Sequence, residues 1–158
     1  MKKHHPKNER IKRAYLSFLE EAKRMSRQSA NDAAAVIALF EASTGWKDFS
    51  AFHIEQAKRF KRTLGEQINP DTGKPLAKST IHSRLMALRG FFAWLAEQPS
   101  YKSRIGRTDC DYFNPSANDS RIATARRERA VPDVGQIRHV LDNMPSATAV
   151  EKRDRALV

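Results

Sequence analysis

The sequence predicts an all-α fold: a compact bundle of four helices over residues 8–98, then a basic linker and one or two short helices. Three observations predict it. Apolar residues recur at spacings of three and four in separate segments. Capping and turn-forming residues punctuate those segments. No stretch alternates apolar and polar residues as a half-buried strand would.

The first helix is expected from about Glu9 to Met25, with Asn8 as its N-cap. Ile11, Ala14, Tyr15, Phe18, Leu19, Ala22 and Met25 would form its apolar face. A second helix is expected to open at Ser29, where Ser29-Ala30-Asn31-Asp32 is a capping-box variant, and to stop at Gly45. A third is expected near Ser50, with His53, Ala57, Phe60 and Leu64 on one face and Lys58, Arg59, Lys61 and Arg62 crowding the rest. Asn69 to Pro75 then reads as a turn. The fourth helix carries the strongest pattern, from a Ser79 cap to about Gln98, with Ile81, Leu85, Leu88, Phe92 and Leu95 as its stripe. Opposite the stripe lie Ser83, Ala87 and Gly90, small enough for a neighbouring helix or a DNA backbone to approach.

From Ser100 to Pro132 the periodicity is lost, and Tyr112-Phe113-Asn114-Pro115 reads as an anchored turn. Asp133 should cap a short helix ended by Met144-Pro145, and another helix should open near Thr148. That last pattern stops in mid-course at Val158, which suggests a piece of a longer protein.

The chain has 158 residues, with 29 Lys and Arg against 18 Asp and Glu. The net charge is +11 and the sequence pI about 10.2. Such an excess points to a polyanionic partner, nucleic acid before an anionic membrane surface. Cys110 is the only cysteine, so an internal disulfide and a thiolate metal cage are both excluded. The basic N-terminus has no apolar run behind it, so it is no secretory signal, and no segment approaches the ~18 apolar residues of a membrane span. The cytoplasm is the expected location.

Catalysis needs a constellation of groups, and none is visible. Of the five histidines only His4 and His5 are close together, none of His4, His5, His53, His82 and His139 pairs with another His or a Cys at metal-ligand spacing, and no Gly-rich phosphate loop or serine nucleophile motif occurs. No catalytic residue, metal ligand, cofactor or small-molecule substrate is therefore expected.

The basic residues are more informative. Thr72 to Ala96 contains no Asp or Glu but holds Lys74, Lys78, Arg84 and Arg89, plus His82. Lys78, Ser79, Thr80, His82 and Ser83 fall at or just before the first turn of the fourth helix. Free amides and the positive dipole end of a helix make such a tip a phosphate clamp, and polar side chains there can reach base edges. Arg27, Gln28, Ser29 and Asn31 repeat the design at the second helix. Arg121, Arg126, Arg127 and Arg129 make the linker basic.

Lys78-Ser79-Thr80-Ile81, followed by Leu85-x-x-Leu88-Arg89-x-Phe91-Phe92-x-Trp94-Leu95, resembles the last helix of the core-binding domain of tyrosine recombinases, the phage-integrase family. Asn114-Pro115, Arg126-Arg127, Val131-Pro132, Gln136-Ile137-x-x-Val140-Leu141 and Met144-Pro145 resemble that family's linker and first catalytic-domain helix. Arg153-Asp154-Arg155-Ala156-Leu157 resembles the opening of its next helix. The resemblance implies a SAM-like four-helix domain that holds duplex DNA as half of a clamp, in a protein that multimerises on DNA. It divides the chain into a disordered N-terminal segment at 1–7, a core-binding DNA-binding domain at 8–117, an interdomain linker at 118–132 and the start of a catalytic domain at 133–158. The family's catalytic arginine and tyrosine would lie past Val158, so no catalytic residue carries over. A helical protein-interaction module, kept soluble by its basic surface, is the alternative. A single-strand RNA binder would need an exposed aromatic platform, whereas Phe91, Phe92 and Trp94 read as core.

Overall fold

The computed structural model describes residues 5–70, 72–125 and 131–157. Among them every regular element is a helix, apart from one isolated antiparallel bridge between Ile68 and Pro75. It divides into two units, 1–125 and 126–158.

Helix α1 spans Pro6–Ser17 and opens on a proline whose missing N–H and fixed φ suit the first helical position. It starts inside the segment expected to be disordered, with His5, not Asn8, as the N-cap. Asn8 is instead wholly buried. Its Nδ2 donates to Glu41 Oε1 at 2.7 Å and to the Lys47 carbonyl at 2.9 Å. Its Oδ1 accepts from Phe49 N at 3.1 Å. Lys12 Nζ completes the cluster at 2.7 Å from Glu41 Oε2. The helix then loosens into a π turn, Phe18–Ala22, closed by Lys23 N donating to Phe18 O. The wider turn shifts the buried face: Tyr15 and Leu19 stay inside, while Ala22 and Met25 of the expected stripe are exposed, as is Ala14 before the turn.

Helix α2 spans Arg27–Ser43, two residues earlier at its start than expected. Its cap is Ser26, whose hydroxyl accepts from Ser29 N at 3.2 Å. It ends at Thr44, followed by Gly45 and Trp46, both left-handed (φ 69° and 62°). A short 3-10 turn, Phe49–Ala51, drops Phe49 into the core, so α3 begins only at Ile54 and ends at Glu66. His53 is exposed as the N-cap of α3 and not part of its buried face, which is Ala57, Phe60 and Leu64.

The expected turn after α3 folds back on itself, with Asn69 N bonded to Lys74 O and Leu76 N to Gln67 O. Helix α4 follows as Lys78–Ala96, capped by Ala77 and not by Ser79. It is the central helix: Leu85, Leu88, Phe91, Phe92 and Leu95 are at most 1% exposed. Phe92 packs with Phe52 (ring centroids 4.3 Å apart), Phe40 (5.2 Å) and Phe113 (5.2 Å).

The aperiodic stretch after α4 is ordered and part of the core. Tyr101 and Ile105 are buried, and a 3-10 helix at Arg107–Phe113 buries Cys110 and Phe113. Helix α5, Ala117–Thr124, occupies the start of the expected linker. In the second unit Asp133 caps α6 (Val134–Asn143), with Oδ1 accepting from Gln136 N at 2.8 Å, and Thr148 caps α7 (Ala149–Ala156). Both short helices lie where the sequence predicts them, though Val134, Ile137 and Val140 remain exposed.

Candidate nucleic-acid interface

Helices α2 and α4 flank an open groove of about 800 Å³. Side chains from the opening turns of both helices line it: Ser29 and Asp32 from α2; Ser79, Thr80, Ser83 and Arg84 from α4. Further along, its lining is apolar, with Leu19, Ala33, Val36, Met86 and Ala87. The small residues opposite the α4 stripe explain why it stays open. Ser83 and Gly90 are exposed and Ala87 is half-buried. At Gly90 another helix comes close: a Cβ there would sit 3.4 Å from the Tyr15 hydroxyl of α1.

The spacing of residues on α4 sorts its polar side chains. At 100° per residue, Ser79, Ser83 and Gly90 share one face with the groove, while Lys78, His82 and Arg89 share another. That second face meets acids from later in the chain. Lys78 Nζ lies 2.8 Å from Asp119 Oδ1. Arg89 donates through Nε and Nη2 to Asp111 Oδ1 at 3.2 and 3.0 Å. Arg107 pairs with Glu97. The stretch without acids in sequence is therefore partly neutralised in space, and Lys78 and Arg89 are not open cations as expected. The Lys78 hydrogen bond, with a second from Ser116, holds the Asp119 carboxyl below the usual carboxylate range.

The remaining predicted residues differ in what surrounds them. Arg27 and Asn31 are exposed at the start of α2, and Lys74 is exposed on the 67–76 turn. Arg84 donates to the neutral Gln67 Oε1 at 3.3 Å, and Arg121, on α5, to the neutral Asn118 Oδ1 at 3.2 Å. Gln28 and Ser29 are engaged locally, with Asp32 Oδ1 at 2.9 Å and Ser26 Oγ at 3.0 Å. Arg126, Arg127 and Arg129 lie outside the described residues. Among the described residues, Arg27, Lys74, Arg84 and Arg121 thus carry charge that no carboxylate compensates. His82 is half-buried and does not line the groove.

Two features escape the sequence reading. Arg24 is exposed in a left-handed turn (φ 55°) just before α2, and only its basic type signals it. Asp32 places a carboxylate in the groove, a fact hinted at by its position four residues after Gln28. The α4 tip, lacking a side-chain cap at Ala77, keeps its first-turn amides available for an anion.

Fold and surface together define a class: an all-helical, basic module in which α2 and α4 bring their N-terminal turns to one open groove. Among the described residues no three His, Cys, Asp or Glu side chains gather as a metal site, and no helix is long and apolar enough to cross a membrane. No family model, curated protein or solved structure matches this chain.

Proposed function

We propose that the first unit is a duplex-DNA-binding module, the SAM-like core-binding domain of a cytoplasmic site-specific tyrosine recombinase that multimerises on its DNA. In this reading the fragment performs no strand cleavage, since the tyrosine nucleophile belongs to a domain outside this chain. One observation carries it: the opening turns of α2 and α4 meet at one groove, with hydroxyls from both and an uncompensated guanidinium at Arg84. Phosphate groups are bound by such donors through charge-assisted hydrogen bonds. Arg27, Lys74 and Arg121 would add phosphate contacts, and Ser79, Thr80 and Ser83 would reach base edges.

The test is fluorescence anisotropy on a labelled duplex across a salt series. Affinity should fall steeply with salt, because neutralising phosphates releases counterions. Arg27→Ala and Arg84→Ala should each weaken binding and flatten the salt slope by about one. Absence of duplex binding at low salt would reject the proposal.

The apolar lining of the groove beyond Ser83 favours a second reading, a protein-interaction module that seats an amphipathic helix. Salt-insensitive binding of a helical peptide, without duplex binding, would select it.

A further inference from the structure

A second concavity, of about 500 Å³, lies beyond the C-terminal end of α4. The α2/α4 tips are a helix length away, about 28 Å for the 19 residues of α4. Two segments distant in sequence supply its basic side chains: Lys7 and Arg10 from the first turns of α1, and Arg104 from the turn after α4. Three cations there face one carboxylate, Asp48. That carboxylate is already committed, accepting from Ser50 N at 2.8 Å and lying 3.7 Å from Lys7 Nζ. Arg10 and Arg104 have no carboxylate partner among the described residues, and both are exposed.

We propose that this concavity is a phosphate-binding pocket, gripped by Arg10 and Arg104 with Lys7 as a supporting charge. The chemistry favours phosphate over a carboxylate. A carboxylate carries a single negative charge on two oxygens, which one guanidinium fork already neutralises. A phosphate offers several oxygens and carries up to two negative charges, so two forks on separate segments can hold it from different sides. The concavity has room for linked phosphates as well as one. The phosphate belongs either to a free nucleotide or pyrophosphate or to a nucleic-acid backbone, and the pocket does not depend on the groove reading above.

The experiment is an amide-resolved NMR titration of the whole chain at constant ionic strength, with pyrophosphate in one arm and a short duplex in the other. In at least one arm, saturable shifts are expected at Lys7, Ser50, Ser100 and Arg104. The Arg10→Gln/Arg104→Gln pair should weaken that binding about tenfold or more. Arg10→Lys/Arg104→Lys, which keeps the charge but removes the forks, should fall between. Pyrophosphate shifts without duplex shifts identify free phosphate as the source, and the reverse identifies the backbone. The groove amides of Ser29, Ser79 and Ser83 report on the α2/α4 site separately. Shifts in neither arm, shifts matched by sodium chloride, or binding unchanged in the Gln pair would overturn the pocket.

Discussion

Replacing Asn8 separates two physical accounts of one residue. As a helix N-cap it would tolerate Asp without loss, because Asp and Asn cap equally well. As found, it is wholly buried and joins α1 to α2 and to the 47–49 loop. Asn8→Ala removes the partner of three groups at once: Glu41 Oε1, the Lys47 carbonyl and Phe49 N–H. An abandoned buried polar group costs roughly 1–3 kcal/mol, more when charged. Lys12 still neutralises Glu41 through Oε2, and alanine recovers a few tenths through helix propensity. The expected loss is therefore about 3–5 kcal/mol, a large share of the roughly 5–15 kcal/mol that holds a domain together. Urea unfolding followed by helical circular dichroism should show a midpoint lower by about 2 M, for a slope of about 2 kcal/mol/M. Asn8→Asp should be at least as damaging at neutral pH, since it sets a second carboxylate against Glu41. A loss below about 1 kcal/mol for Asn8→Ala, with Asn8→Asp neutral, would refute the buried-network account and restore the cap.

Gly90→Ala should stabilise the first unit by about 0.5–1 kcal/mol, since it removes a helix-interior glycine and its Cβ meets Tyr15 Oη at an ordinary 3.4 Å; a lower thermal midpoint would contradict this. Burial pushes the Tyr15 hydroxyl up to about 12. Burial also acts to lower the Lys12 ammonium, but its hydrogen bonds to Glu41 and Glu9 outweigh that and hold it above the usual lysine value. Both groups keep their protons longer when folded. The stabilisation from Tyr15 is complete below its ordinary value near 10 and is lost as the pH climbs through about 12, and that from Lys12 is likewise lost only above the usual lysine value. Tyr15→Phe should flatten the decline of the melting temperature between pH 10 and pH 12; an unchanged slope would exclude the tyrosine as a cause. Burial, with Asp109 and Asp111 nearby, pushes the Cys110 thiol up to about 11, so it should resist a thiol reagent at neutral pH and react only on unfolding; rapid labelling of the folded chain would disprove this.

The parts of the fold that rest on local periodicity are readable from sequence. Leu85, Leu88, Phe92 and Leu95 announce a buried helix because one face must serve the core whatever lies opposite. The Asp133 and Thr148 caps are readable for the same reason, since a cap and its amide stand three residues apart. What depends on distant partners is not. Asn8 looks like a cap until Glu41, 33 positions on, is folded against it. Tyr101, Ile105, Cys110 and Phe113 are core residues hidden by 3-10 and turn geometry, which leaves no 3.6-residue signature. The candidate groove is half legible: hydroxyls and arginines at two helix starts can be read. The pairing of Lys78 with Asp119 and of Arg89 with Asp111 requires the path of the chain after α4.

The stacking of Phe113 on Phe92 (interplanar angle 20°) and on Phe52 (18°) has a practical consequence for trimming the gene. A stop codon placed after α4, where the bundle nominally closes, would uncover the faces of Phe92 and Phe52 on which Phe113 stacks. Such a product should collect in inclusion bodies, whereas one that ends after Ala125 retains the whole aromatic pile.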